Sequence, residues 1–296
     1  MENTLPASET LGLKHKIRDY SQLTKMRLAT LVVFSAAMAF MTAPGAIDFV
    51  KMGWLVLGGF LVTGSANGFN QVMERELDIL MDRTKARPLP DVRMSISEAI
   101  TVCIISGIIG VAILGYFMNL ASAILGVFAI VLYTIAYTPM KRKSPIAVFI
   151  GAVPGAIPPL LGYVAATGNF NSAAWLLFGI QFLWQFPHFW AIAWVMDDDY
   201  KKAGFNLLPT GKRDKGSAWQ TVLYTISLVP VAVMPWVFGV SGWISMVVML
   251  AVTLYFLFQA IQLYRMCSIE AARKLMYGSF FYLPVVQIAM VIDKIG

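Results

Sequence analysis

Nine long apolar runs, separated by short polar segments, dominate the pattern of this sequence. The runs reach or approach the 18 or so residues that a helix needs to cross a bilayer, and the breaks contain Pro, Gly, Asn and Ser, as at Pro44 and Gly45. The predicted helices lie at about 24–43, 52–74, 96–117, 120–138, 145–164, 173–196, 218–238, 243–264 and 276–293. The pattern predicts an all-α polytopic membrane bundle, with a polar N-terminal segment at 1–22 and a single transmembrane domain at 23–296.

Composition and charge placement support this prediction and orient the bundle. The chain is 58% hydrophobic and only 13% charged, which excludes a soluble domain. All its Lys and Arg residues except Lys51 and Lys294 fall on the N-terminal side of the first helix or in the loops after the second, fourth, sixth and eighth helices. The positive-inside rule then predicts a cytoplasmic N-terminus, and the odd number of helices predicts a C-terminus on the opposite side. The net charge of +7 is therefore a membrane pattern, and nucleic acid is not a predicted partner.

The two cysteines, Cys103 and Cys267, lie in an apolar run and in a basic loop respectively. Such different settings predict that they form no disulfide.

Polar oxygens recur every four residues at the end of the second predicted helix, at Asn70, Glu74, Asp78 and Asp82. Steps of four keep neighbouring side chains on one helical face. Each acid costs about 2.5–3.5 kcal/mol at mid-membrane depth, so a compensating cation is expected. Because all the donors are hard oxygens, the tract predicts a divalent-cation site, most simply Mg²⁺. The alternative is a solvated helix end.

Basic residues follow this tract directly and recur after the fourth helix. In the first stretch they are Arg83, Lys85 and Arg87, and in the second they include Lys141 and Arg142. Acids for a metal together with bases for phosphate oxygens are what diphosphate chemistry needs. The alternative is that these cations are ordinary positive-inside anchors.

A second acidic cluster, Asp197 to Asp199, ends the sixth helix on the same side of the membrane, and Lys201 and Lys202 follow it. Acids at a helix C-terminus oppose the helix dipole, which makes a purely structural role less favourable. Two acidic clusters on two helices can face each other and hold Mg²⁺ between them. The alternative is that the three acids simply end a membrane helix.

The sixth helix also carries His188, in an aromatic stretch and directly after Pro187, which is expected to kink the helix. This histidine either bonds to a neighbouring helix or orients a buried substrate, with iron ligation as one form of that role. The Gly- and Pro-rich run from Gly151 to Tyr163 predicts a broken or closely packed helix that lines a cavity. The alternative is a helix that is merely kinked.

Four motifs together resemble a known family: N-x-x-x-[D/E]-x-x-x-D with its M-x-R-T-x-x-R-P continuation, W-Q-x-P-H-F, the Asp199–Pro209 segment, and G-A-x-P-G-A-x-P-P-x-x-G-Y. The sequence is similar to the UbiA-type intramembrane prenyltransferase superfamily, and most closely to its heme O synthase (protoheme IX farnesyltransferase) branch. The resemblance covers roughly residues 20–290.

The resemblance implies a nine-helix bundle with a cavity near the cytoplasmic face of a bacterial inner membrane. It implies farnesyl diphosphate with Mg²⁺ as donor and heme b as acceptor, giving heme O. The protein partner that it implies is a heme A synthase or a terminal oxidase. The alternatives are a quinone-pathway prenyltransferase with a 4-hydroxybenzoate-like acceptor and, from a different class, an ion or solute transporter.

Site residues follow from the same resemblance. The residues implied to bind the metal and serve in catalysis are Asn70, Glu74, Asp78 and Asp199. The residues implied to bind substrate are Arg83, Lys85, Arg87, Lys141, Arg142, Lys202, His188 and Tyr137. Glu74 departs from the family pattern, which usually has Asp at that position.

Overall fold

A computed structural model describes residues 12–295, and helices account for most of this part of the chain. The helices are α1 Leu13–Leu23, α2 Met26–Thr42, α3 Phe49–Asp78, α4 Ile96–Ile113, α5 Leu120–Val131, α6 Thr138–Met140, α7 Ala147–Thr167, α8 Ser172–Lys202, α9 Lys215–Val237, α10 Trp243–Met266 and α11 Ile269–Ile292. Turns of π-helix at Leu114–Met118 and Leu132–Tyr137 extend α4 and α5.

The prediction of an all-α membrane bundle is confirmed. Seven helical spans of the described chain are long and apolar enough to cross a membrane, and the bent pair α1–α2 makes an eighth. The one predicted span that is not among these eight is the sixth, α8, whose 31 residues would cross a bilayer by length alone. Its hydropathy is lower because it includes polar residues such as Gln181, Gln185 and His188. The count of nine is therefore approximate.

Polar side chains define where most of these helices begin. At six helix starts the residue before the first turn accepts a hydrogen bond from a backbone N–H three positions on, which satisfies one otherwise unpaired donor. These residues are Asp48, Ser95, Asn119, Asn171, Asp214 and Ser268.

The proline-rich run forms a continuous helix, α7, with Pro154, Pro158 and Pro159 inside it. It is the closely packed form that the sequence allowed and not a broken one. At Gly162 an added Cβ would lie 2.0 Å from the carbonyl oxygen of Ala36, so only glycine lets α7 approach the backbone of α2 this closely.

The N-terminal segment contains a helix that the sequence did not predict. Helix α1 is bent by 53° from α2, and the break contains Lys25 in the left-handed conformation with φ 49°. The rest of the predicted polar segment, residues 1–11, lies outside the described residues. The division at residue 22 stays a prediction.

Most of the basic loops meet at one end of the bundle, which we call the charged end. It comprises α1 and the loops 79–95, 141–146 and 203–214. Salt bridges join its parts, for example Arg93 to Asp19 at 3.0 Å. Lys294 lies at the opposite end, where its ammonium donates to the carbonyl oxygens of Ala43 and Gly45.

Candidate active site

Three of the four regularly spaced residues of α3 form a buried polar face. Asn70, Glu74 and Asp78 are 1%, 4% and 0% exposed. The prediction that Asp82 shares this face is wrong, because α3 ends at Asp78 and the Asp82 side chain is 65% exposed. The chain turns there as the Thr84 hydroxyl donates to the carbonyl oxygen of Asp78 at 2.9 Å.

Each of the two buried carboxylates is paired with a cation from another element. Lys141 Nζ lies 2.8 Å from Glu74 Oε1 and donates to Oε2 at 3.0 Å, and Arg87 donates to Asp78 Oδ2 at 2.7 Å. Removing either partner would leave an uncompensated buried charge. The acids predicted to bind metal and the bases predicted to bind phosphate are thus both present in the site, and they contact each other.

Asn70 contacts a cation that the sequence reasoning did not select. Lys25 Nζ donates to Asn70 Oδ1 at 2.8 Å, and the Asn70 amide donates to the hydroxyl of Thr138 at 3.1 Å. In the sequence Lys25 counted only toward the positive-inside pattern, because no local spacing relates it to Asn70. Lys25, Lys141 and Arg87 therefore converge on one face of α3 from three separate parts of the chain.

Asp199 faces the loop after α3. Its carboxylate accepts the backbone N–H groups of Asp82 at 2.8 Å and Arg83 at 3.3 Å, and it also accepts from Lys202 at 3.3 Å. Within residues 12–295, no three His, Cys, Asp or Glu side chains come close enough to hold a metal ion together. The two acidic clusters therefore contact each other through backbone N–H groups and through Lys202, which bonds to both Asp82 and Asp199. The role of Asp199 as a metal ligand stays a prediction.

The other two acids of the second cluster have structural partners. Asp197 is buried and pairs with Lys201 at 2.7 Å, and Asp198 is paired with Arg213 at 3.0 Å. The Arg213 guanidinium also donates to the carbonyl oxygen of Trp194, so this arginine ties the loop before α9 to α8.

The remaining predicted phosphate ligands lie at the charged end, around the buried face. Lys85 and Lys202 both donate to the exposed carboxylate of Asp82, and these cations lower its pKa to about 2. The Arg83 guanidinium lies 5.8 Å from the centre of the Tyr200 ring, and Arg142 is exposed.

Aromatic rings cover the buried ammonium of Lys141. Its nitrogen lies 4.8 Å from the ring centre of Tyr137 and 5.7 Å from that of Phe205. An added Cβ at Gly151 would lie 2.6 Å from the Tyr137 ring, so only glycine at this position leaves room for the ring. The predicted substrate-binding residue Tyr137 therefore borders the acid–base face.

His188 hydrogen-bonds to a neighbouring helix, as one of the two interpretations of the sequence required. Its Nδ1 lies 2.7 Å from Ser279 Oγ, and the Ser279 hydroxyl donates to the carbonyl oxygen of Met276 at 2.6 Å. Because that hydroxyl proton is already used, Nδ1 is the donor and Nε2 keeps its lone pair. The ring stacks on Trp184 at 4.3 Å, and α8 runs unbroken through Pro187. Contact with a substrate stays a prediction.

The oxygens of the buried face fit a hard divalent cation. Asp78 Oδ1 is buried and has no hydrogen-bond partner among the described residues. An unpaired carboxylate oxygen on a helix face that also carries an amide oxygen and a second carboxylate is the type of donor that Mg²⁺ takes. Asn70, Glu74 and Asp78 are thus the residues best suited to hold it.

Comparison with known proteins decides the family. A family model described as the UbiA prenyltransferase family matches residues 31–284, which include the buried face, His188 and most of the charged end. The chain belongs to the UbiA prenyltransferase family. It is therefore an integral membrane protein of a prenyltransferase family, and the transporter alternative is set aside.

Curated relatives match almost the whole chain. A protein of Cytophaga hutchinsonii named protoheme IX farnesyltransferase is 48% identical over 278 residues, 93% of this chain and 97% of the relative. One of Christiangramia forsetii with the same name is 47% identical over 283 residues, 94% of each chain.

Solved structures of UbiA-fold proteins are similar in fold at low sequence identity. A digeranylgeranylglyceryl phosphate synthase superposes with a TM-score of 0.78 at 19% identity, over 94% of this chain and 98% of that one. A UbiA homologue of Archaeoglobus fulgidus, bound to GPP and Mg²⁺, gives a TM-score of 0.67 at 15% identity, over 92% of this chain and 99% of that one. These likenesses support the fold of the bundle.

Proposed function

We propose that this protein transfers the farnesyl group of farnesyl diphosphate to a vinyl group of heme b, making heme O. The observation that carries the proposal is the buried face of α3, where Asn70, Glu74 and Asp78 each meet a cation. The relatives named protoheme IX farnesyltransferase support the choice of both substrates.

The cations of the site act on the leaving group. Negative charge grows on the diphosphate oxygens as the C1–O bond of the farnesyl group breaks and its electron pair leaves with the diphosphate. Lys25, Arg87 and Lys141 are held in a poorly hydrated region, where fixed positive charge stabilises this change more than water does. Arg83, Arg142, Lys85 and Lys202 supply further charge at the charged end.

The metal adds to this effect. When bound by Asn70, Glu74 and Asp78, with Asp199 as the proposed fourth ligand, Mg²⁺ supplies Lewis-acid stabilisation of the departing diphosphate. The homologue bound to GPP and Mg²⁺ supports this requirement.

Carbon–carbon bond formation follows ionisation. The vinyl π electrons of heme b form a bond to farnesyl C1, which moves the positive charge to the carbon beside the porphyrin. Water adds there and loses a proton, which leaves the hydroxyethylfarnesyl group. The rings of Tyr137 and Phe205, which cover Lys141, exclude water from the site until this step. His188 holds the heme through its free Nε2.

The location of the reaction follows from the charge pattern. We assign the charged end to the cytoplasmic side of a bacterial inner membrane, with a cytoplasmic N-terminus and the C-terminus opposite. A heme A synthase or a terminal oxidase is the partner that would receive the product, and co-purification with heme O present would test it.

The decisive experiment incubates the purified protein with heme b, farnesyl diphosphate and Mg²⁺, and measures heme O by liquid chromatography and mass spectrometry. We expect heme O to form and its formation to stop when EDTA replaces Mg²⁺. Prenylation of 4-hydroxybenzoate without any heme O would instead assign the quinone-pathway activity.

A further inference from the structure

A groove on the outer surface of the bundle lies between α10 and α11, away from the acid–base face of α3. It has a volume of about 390 Å³, and its wall includes Phe256, Gln259, Lys274 and Phe281. One water molecule takes up about 30 Å³, so the groove has room for a much larger occupant. Phe281 is 72% exposed, so the groove opens on the outer surface of a membrane-spanning helix.

One side chain in this groove is buried but unpaired. Gln259 is only 9% exposed, and its Oε1 has no hydrogen-bond partner among the described residues. On the opposite wall an added Cβ at Gly278 would lie 1.9 Å from this oxygen, so glycine is what leaves room for the amide. A buried amide oxygen without a partner is costly in this orientation. Rotation about the terminal bond of Gln259 puts an N–H in its place, and an acceptor on an occupant of the groove can bond to that N–H.

The groove also has a polarity gradient along its length. Lys274 lies in the second turn of α11, which starts at the charged end, and its side chain is 68% exposed. It gives one contact to Glu270 at 3.0 Å, and an ammonium has three donors, so two remain. Val285, at the other end of the groove, is about 16 Å farther along the helix axis, roughly half the thickness of the hydrocarbon layer.

We propose that this groove is a binding site for an anionic glycerophospholipid of the surrounding bilayer. Lys274 binds the phosphate, and one acyl chain lies along Phe256, Phe281 and Val285. Gln259 lies deeper than Lys274, at the depth of the ester groups. Its amide carries both a donor and an acceptor, and rotation about its terminal bond presents the N–H to an ester carbonyl oxygen. Lys274, Gln259 and the apolar wall thus occur along the groove in the same order as the phosphate, the ester group and the acyl chain of such a lipid.

The test is native mass spectrometry of the full-length protein in detergent, titrated with phosphatidylglycerol and without heme or farnesyl diphosphate. Lys274→Gln and Gln259→Leu are expected to weaken binding about fivefold each, the effect of one polar contact near the membrane surface. Arg273→Gln is the matched control, since Arg273 is a neighbouring exposed cation that does not line the groove. Its affinity should equal that of the wild type.

An ether-linked phosphatidylglycerol, which lacks the ester carbonyls, separates the amide contact from any effect on folding. Gln259→Leu should weaken binding of the ester lipid and leave binding of the ether lipid unchanged in the same preparation. Equal losses for both lipids, or an equal loss in Arg273→Gln, would overturn the proposal. So would displacement of the lipid by farnesyl diphosphate, which would assign the groove to a substrate. Because no substrate is needed, the result is independent of the proposed activity.

Discussion

Lys25 and Asn70 are joined by a hydrogen bond of 2.8 Å across 45 positions of sequence. This contact fixes the break between α1 and α2 against the buried face of α3. We expect Lys25→Met to raise the KM for farnesyl diphosphate and to lower kcat/KM about tenfold to a hundredfold. The reason is the loss of a charge-assisted contact of about 1.5–3 kcal/mol and of a nearby cation. Steady-state kinetics on the purified variant measure this.

Lys51→Met is the control for that variant, because Lys51 is an exposed lysine at the opposite end of the bundle. Its kinetics should match the wild type. If Lys25→Met were as active as the wild type, Lys25 would serve in packing and would not be a diphosphate ligand.

Asp78 and Asp82 are four residues apart but lie in opposite environments. Asp78 is fully buried with Arg87, whereas the Asp82 side chain is 65% exposed. Asp78→Asn should lower kcat at least about a hundredfold, since it removes the charge of a proposed metal ligand. It should also cost about 3 kcal/mol of stability because Arg87 loses its counter-charge.

Asp82→Asn is the matched variant and should keep activity within about threefold of the wild type, since exposed ion pairs contribute little. Thermal unfolding establishes that both proteins are folded before their rates are compared. Similar losses of activity in the two variants would show that Asp82 also acts in catalysis.

The depressed pKa of Asp82 predicts how acid affects the charged end. Lys202 and then Lys85 lower this pKa from its ordinary value of 3.8 to about 2. A lowered pKa stabilises the folded protein at pH values above 3.8, and this contribution is lost as the pH falls from 3.8 toward 2. The difference in Tm between wild type and Asp82→Asn should therefore be constant from about pH 5 to 8 and shrink below about pH 4. Circular dichroism in detergent follows this difference, and one that instead changed near neutral pH would point to another titrating group.

The ends of α3 and α8 show how far the sequence pattern reaches. Hydropathy predicted helices at 52–74 and 173–196, and the structure has Phe49–Asp78 and Ser172–Lys202. The predicted helices end where charged residues begin, because the mean hydropathy of a sequence window falls there. The helices continue because partners far away in sequence neutralise those charges, as Lys141 does for Glu74.

Motif positions predicted the oxygens of the candidate site better than they predicted its cations. Asn70, Glu74 and Asp78 could be recognised because regular spacing on one helix is a local property. Lys25 could not, since its contact with Asn70 depends on the 53° bend between α1 and α2 and on the packing of α2 against α3. Those features arise from long-range packing.

Gly162 should be intolerant of even one added methyl group. Its missing Cβ would lie 2.0 Å from the carbonyl oxygen of Ala36, and backbone on both sides limits relaxation. We expect Gly162→Ala to destabilise the protein by about 1–3 kcal/mol, as overpacking does. Gly179→Ala in α8 is the control, since nothing lies within 4 Å of its added Cβ. Thermal unfolding should show a lower Tm for the first variant only, and equal Tm values would mean that α2 and α7 can separate without cost.

The hydrogen bond between His188 and Ser279 predicts a graded effect on heme binding. His188→Ala removes the free Nε2 and should raise the KM for heme b without changing the KM for farnesyl diphosphate. Ser279→Ala keeps the imidazole but removes the acceptor that fixes its tautomer, so heme affinity should fall about tenfold. The Soret band of heme bound to the purified variants, titrated without farnesyl diphosphate, provides a readout separate from turnover. A spectrum and affinity unchanged in His188→Ala would limit this histidine to joining α8 and α11.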